Sequence, residues 1–193
     1  MILFLNGYRG SGKSTIAPLV ASRIGCPFVD TDDLIVAKAG KAISEIFASE
    51  GEPAFRRMET SVISGLVAND DASESTETDE SPISIVVSLG GGAIMTAENQ
   101  SMISSGKTVF LNAPAEVLWA RIKGDDSSRT QRPDLTEEGG LAEVRSVLGR
   151  RLSTYIDCAD YSIDTTELSP EEIADAIARW ATGVDKPPDA LNN

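Results

Sequence analysis

The stretch that decides the fold is Ile2-Leu3-Phe4-Leu5-Asn6-Gly7-Tyr8-Arg9-Gly10-Ser11-Gly12-Lys13-Ser14-Thr15. Its first residues form an unbroken apolar run of the kind a parallel strand shows when both its faces are covered. Gly7 to Ser14 fits G-x-x-x-x-G-K-[ST]. After it, Ile16, Leu19, Val20 and Ile24 recur at helical spacing from Ser14 to Ile24, with Pro18 in the early turns. A strand, a glycine loop and a helix in that order make a phosphate-binding loop. The glycines let successive N–H groups point inward at phosphate oxygens, and the helix N-terminus adds its partial positive charge. Lys13 can then reach the β- and γ-phosphates, and the Ser14 hydroxyl can meet Mg²⁺. A loop of this kind does not choose an acceptor, because switches, motors and kinases share it.

Working outward, Phe28-Val29 leads into Asp30-Thr31-Asp32-Asp33 and reads as a second strand ending at Asp30. Helices are expected at about 32–39, 43–49 and 53–68, the last with Phe55, Met58, Val62, Ile63 and Leu66 on one face. Ile83 to Leu89 is the clearest strand in the chain and runs into Gly90-Gly91-Gly92. Thr108–Leu111 and Tyr161–Asp164 complete five strands. Helices are expected from Pro114 to Ile122, from 141 to 156, and after Ser169-Pro170-Glu171-Glu172, where a Ser cap, a Pro and two acids make a start signal. Strands alternating with helices imply an α/β fold: one five-stranded parallel sheet with helices on both faces.

The 193 residues suit one domain over 1–182, with a frayed tail at 183–193. Residues 69–82, NDDASESTETDESP, hold six carboxylates and no large apolar residue, and read as a solvated insert. Residues 123–139 are polar and long for a plain connection, and carry Arg129 and Arg132. A mobile loop bearing Arg can cover a γ-phosphate, although a surface loop would look similar. The net charge of −13 argues against a nucleic-acid partner. The absence of His removes His-based catalysis and His metal sites. Cys26 and Cys158 belong to no CxxC pair, no run approaches a membrane span, and no signal peptide is recognisable, so a cytoplasmic protein is expected.

Three places could serve an acceptor. In a parallel sheet, ligands sit outside the carboxyl ends of the strands, where Asp30 and Asp32 fall. One of these carboxylates could hold a Mg²⁺ water while the other takes a hydroxyl proton; alternatively Asp32 or Asp33 caps the following helix. Three glycines at 90–92 admit a ligand close to the backbone. Arg56 and Arg57 near a helix start oppose its dipole, which either a bound carboxylate or simple solvation explains.

Taken together, these residues resemble the shikimate kinase family, within the nucleoside-monophosphate-kinase-like P-loop group. The resemblance runs from Ile2 to Ile177. It rests on Gly7–Ser14, Asp30-Thr31-Asp32, Gly40–Phe47, Phe55-Arg56 with Glu59, Leu89–Gly92, Arg132-Pro133 and Arg151 with Tyr155. It implies a three-layer P-loop kinase fold with substrate-binding helices over about 32–68 and a lid over about 123–139. It also implies phosphorylation of the shikimate 3-hydroxyl by ATP with Mg²⁺. Gly10, Ser11, Gly12, Lys13, Ser14, Thr15 and the lid Arg132 would then bind ATP, and Ser14 and Asp30 the metal. Asp32, Arg56, Glu59, Gly90, Gly91, Gly92 and Arg151 would bind shikimate, with Lys13, Asp32 and Arg132 catalytic. Ser153 stands where the family usually has Pro, which leaves Arg150 as an alternative to Arg151. A monomer is expected. A same-fold kinase acting on another acceptor, such as gluconate, and a nucleotide-binding module without turnover are the rival readings.

Overall fold

The computed structural model describes residues 1–71, 83–124 and 139–184. In chain order its elements are β1 (Ile2–Asn6), α1 (Lys13–Ile24), β2 (Phe28–Asp30), α2 (Thr31–Ala39), α3 (Ile43–Asp71) and β3 (Ile85–Ser88). There follow α4 (Ala97–Ile103), β4 (Lys107–Asn112), α5 (Ala115–Gly124), α6 (Gly140–Asp157), β5 (Tyr161–Asp164) and α7 (Pro170–Ala181). A short 3-10 turn, Ala93–Met95, precedes α4.

All five strands run parallel in the order β2-β3-β1-β4-β5. The period of two along β1 divides the core. Ile2 and Phe4 pack toward α4, α5 and α6, with Ile94, Leu118, Val144 and Tyr155. Leu3 and Leu5 pack on the opposite face against Ile16 and Val20 of α1 and Ile173 and Ile177 of α7. Helices α2 and α3 have an apolar cluster of their own, built from Ile35, Ile43, Ile46, Phe55 and Val62. The expected three-layer architecture is the one observed.

Register sets the functional edge. Asp30 pairs with Ser88, and Ser88 with Leu5, so β2, β3 and β1 end level. The residues that follow each strand are Thr31, Leu89-Gly90 and Gly7. They therefore meet at one edge, as the rule for parallel sheets requires.

Several sequence expectations shift. Helix α3 is assigned continuously from Ile43, but its backbone breaks at Gly51 (φ 76°, ψ 169°), so the two expected helices are its two arms. It continues to Asp71, past the expected start of the insert at 69. There Asp70 accepts from Ser84 and lies 3.4 Å from the Met1 amino group. Residues 72–82 of the insert, 125–138 of the expected lid and 185–193 of the tail lie outside the described residues. Lys123 and Gly124 belong to α5 rather than to a lid. Pro18 occupies the sixth position of α1, beyond the first turn, so it removes a helical donor that an earlier Pro would not. Helix α4 was not foreseen. Its seven residues, AENQSMI, carry too short an apolar pattern, and Thr96 caps it by accepting from Asn99 N at 3.4 Å.

Candidate active site

The loop between β1 and α1 encloses its own lysine. Lys13 Nζ donates to the carbonyls of Gly7 (2.8 Å) and Tyr8 (3.0 Å), which holds the charge over the loop. Gly10, at φ 81°, fits because a Cβ there would lie 2.9 Å from the Leu118 carbonyl of α5. Gly10, Ser11, Gly12, Lys13, Ser14 and Thr15 all line a cavity of about 630 Å³, together with Arg9, Asp30, Asp32, Leu89 and Gly91. The far end of that cavity is walled by Arg121, Leu168 and Pro170. Arg121 is fixed there by donating to Thr165 Oγ1 (2.9 Å) and the Thr165 carbonyl (2.6 Å). These far-end residues were not identified from sequence, because nothing in their spacing links α5 to the loop after β5.

Asp30 is the junction of three elements. Its Oδ2 accepts from Ser14 Oγ of α1 (2.8 Å) and Ser88 Oγ of β3 (2.7 Å). Its Oδ1 accepts from the backbone N of Asp32 (2.9 Å), so it is the N-cap of α2. The cap expected at Asp32 or Asp33 thus belongs to Asp30, because the helix already begins at Thr31. That leaves the Asp32 carboxyl to line the cavity. Asp33 is exposed and does not line the cavity. Burial, and then the nearby charge of Asp30, raise its carboxyl above the usual range.

Thr31, between the two acids, is fully buried, and its Oγ1 accepts from Gly90 N (2.9 Å). The next two glycines are held from other directions. The Gly91 carbonyl accepts from Arg151 Nη1 (3.2 Å) and from the Tyr155 hydroxyl. Gly92 lies under the Arg56 guanidinium, where an added Cβ would come within 2.6 Å of both terminal nitrogens. Arg56 Nη1 donates to Glu59 Oε2 (2.8 Å) and Nη2 to Glu52 Oε1 (3.0 Å). Arg57 and Arg150 are exposed, so one arginine of each pair faces the glycines and the other faces solvent. Arg151, rather than Arg150, is therefore the one in contact with the glycine loop.

The electrostatics of this acceptor side are unusual for carboxylates. Glu59 is wholly buried, and burial raises its carboxyl above the usual range despite the opposing Arg56 and Arg151 guanidiniums. Its Oε1 has no hydrogen-bond partner. For Arg56, burial acts to lower the pKa, but Glu59 and Glu52 outweigh it and the net shift is upward, so the guanidinium stays charged. The buried Tyr155 phenol is pushed up to about 12, chiefly by burial, and is a donor at any ordinary pH. Two guanidiniums beside a glycine floor suit a planar carboxylate.

Of the residues expected from sequence, the phosphate loop, Asp30, Asp32 and Gly91 share one cavity, while Arg56, Glu59, Gly90, Gly92 and Arg151 adjoin it around the glycine loop. Arg132 lies outside the described residues. Thr31 and Ser88 have positioning roles that sequence alone does not reveal, since they act through hydrogen bonds across the sheet edge. No cluster of three or more acidic or sulfur ligands occurs among the described residues. No helix among them is long and apolar enough to cross a membrane.

Comparison with known proteins agrees with this geometry. The family model described as shikimate kinase matches residues 9–182. A shikimate kinase of Rhodopirellula baltica is 39% identical over 180 residues, covering 93% of this chain and 89% of that one. One from Salinibacter ruber is 33% identical over 195 residues, covering 97% and 87%. Among solved structures, shikimate kinase from Acinetobacter baumannii in complex with shikimate superposes with a TM-score of 0.80 at 30% identity, covering 95% and 94%. A gluconokinase from Sinorhizobium meliloti, at 15% identity and a TM-score of 0.56, shares the fold alone.

Proposed function

The chain belongs to the shikimate kinase family, and from that membership we propose how its residues carry out ATP-dependent phosphorylation of shikimate. The single observation that carries the reading is the convergence of Arg56 and Arg151 on the glycine loop that borders the phosphate cavity. It supports a carboxylate acceptor beside the nucleotide.

ATP lies along the 630 Å³ cavity, its base toward Arg121, Leu168 and Pro170 and its phosphates on the backbone from Gly10 to Thr15. Lys13 leaves the Gly7 and Tyr8 carbonyls and follows the β- and γ-phosphates. Shikimate places its carboxylate between Arg56 and Arg151 and its ring against Gly90–Gly92, which turns the 3-hydroxyl toward Asp32. Asp32 accepts the hydroxyl proton as the oxygen attacks the γ-phosphorus in line and the bond to the ADP oxygen breaks. Glu59 holds Arg56 in place. Arg132 covers the phosphates from the lid. Catalysis is mainly positioning and charge compensation.

The hard oxygens of Ser14 and Asp30, side by side at the phosphate end, suit Mg²⁺, and these two residues would hold it. When bound, the ion neutralises charge on the β- and γ-phosphate oxygens. The net charge of −13 supports a protein that avoids nucleic acid, and we assign a cytoplasmic monomer formed of one domain over 1–182 with a frayed tail. ADP release should be measured with shikimate, gluconate, a nucleoside monophosphate and a shikimate analogue lacking the carboxylate. Turnover with shikimate at least about thirtyfold above the analogue is expected, because a desolvated arginine–carboxylate contact is worth roughly 2–5 kcal/mol. Preference for gluconate, or no turnover with any acceptor, refutes the assignment.

A further inference from the structure

Arg9 is a cation inside the phosphate loop that none of the roles above employs. It lines the same cavity as Lys13, Asp32 and Gly91. Its Nε is enclosed by protein, yet among the described residues no acceptor meets it. An enclosed guanidinium N–H without a partner is unfavourable unless something else supplies the acceptor. Its backbone fixes where that something must lie. Arg9 N sits 3.4 Å from the position a Cβ on Gly91 would take, and the Gly7 carbonyl 3.5 Å from it, so Arg9 stands at the seam between phosphate loop and glycine loop. Lys13 turns to the Gly7 and Tyr8 carbonyls within the loop. Arg56 and Arg151 hold the opposite side of the glycines. Arg9 thus stands where the proposed reading brings the nucleotide's terminal phosphate and the acceptor hydroxyl together, beside Lys13 rather than in its place.

We propose that Arg9 is a product-facing cation, binding the phosphoryl group once its bond to the acceptor oxygen has formed. The inference rests on shikimate being the acceptor, and it adds a specificity that the family assignment does not contain. In the transfer, the γ-phosphorus leaves the bridging oxygen of ADP and joins the 3-oxygen, whose proton passes to Asp32. The group so formed is a phosphate monoester with two further negative oxygens, and a planar guanidinium can meet both. Shikimate itself offers Arg9 only a neutral hydroxyl. Arg9 therefore discriminates product from substrate, and it favours the transition state to the extent that the phosphorus has already crossed.

The test is calorimetric binding of shikimate and of 3-phosphoshikimate to the parent enzyme and to Arg9→Met, with a melting curve for each. Expected are a loss of at least about tenfold in affinity for the phosphorylated ligand, less than about twofold for shikimate, and about a tenfold fall in kcat. Arg9→Lys should recover part of the product affinity, since a point charge remains. Equal losses for the two ligands, or unchanged product affinity in a folded variant, overturn the proposal. If Arg9→Met does not fold, the same comparison with Arg9→Lys decides, a loss confined to the phosphorylated ligand being required. A parent protein that does not phosphorylate shikimate overturns the acceptor assignment instead. Binding of inorganic phosphate to the ADP-loaded protein then tests Arg9, and an unchanged affinity in Arg9→Met refutes the role.

Discussion

The two halves of the site are built in opposite ways. The phosphate half is made by one continuous stretch, Gly7 to Thr15, in which the backbone supplies the contacts and Lys13 is held by carbonyls five and six residues away. The acceptor half is assembled from α2, α3, the loop after β3 and α6, and its bonds span long separations, such as 59 residues for Thr31 with Gly90 and 60 for Arg151 with Gly91. A local device tolerates changes elsewhere and fails through a single side chain. A convergent device is vulnerable wherever one of its members touches another.

That contrast can be broken at its strongest point first. Lys13→Met should lower kcat by about a thousandfold or more, because it removes the mobile full charge from the phosphate half. It should leave the melting temperature within a few degrees, since the loop keeps its backbone geometry. Substantial turnover with ATP would show that the loop does not act as a phosphate site. Gly92→Ala probes the convergent half. The new Cβ would collide with the end of the Arg56 side chain rather than with backbone, so the chain should fold while Arg56 swings off Glu59. Shikimate KM should rise about tenfold or more with ATP KM unchanged. A variant with normal shikimate KM would show that Arg56 does not work from its position over the glycine.

The smallest effect concerns Glu59. Burial holds its carboxyl above the usual range, so the fold favours the protonated form. Its stabilising contribution is full below about pH 4.5 and is lost as the pH rises through the raised folded value. Glu59→Gln removes that dependence. The melting temperature of the variant relative to the parent should therefore climb as the pH rises from about 4.5 through the raised folded value. Shikimate KM should rise at the same time, because an amide orients the Arg56 guanidinium less firmly than the Glu59 oxygen does. Melting curves that run parallel across this range would mean that Glu59 does not titrate as a buried carboxyl.

Legibility follows the same division. The phosphate loop was plain in the sequence because its mechanism resides in adjacent residues, and β5 and the start of α7 were legible for the same reason. Asp32 and Arg56 were candidates from their places at a strand end and a helix start, whereas Glu59 and Arg151 came only from the resemblance, since nothing in their spacing says that α3 and α6 meet at one loop. Ordinary residues carried the least signal. Thr31, Ser88 and Thr165 act through hydroxyls whose partners exist only after the sheet has formed. The cap of α2 was displaced because any of three neighbouring acids could start the helix, and the register of β2 on β3 decides which one does.

Asp30 ties α1, β3 and α2 together through two hydroxyls and a backbone N–H, none of which belongs to a ligand. One carboxylate thus acts as a rivet through a helix start, a strand end and the phosphate-loop helix, so that replacing Asp30 would loosen three elements at once.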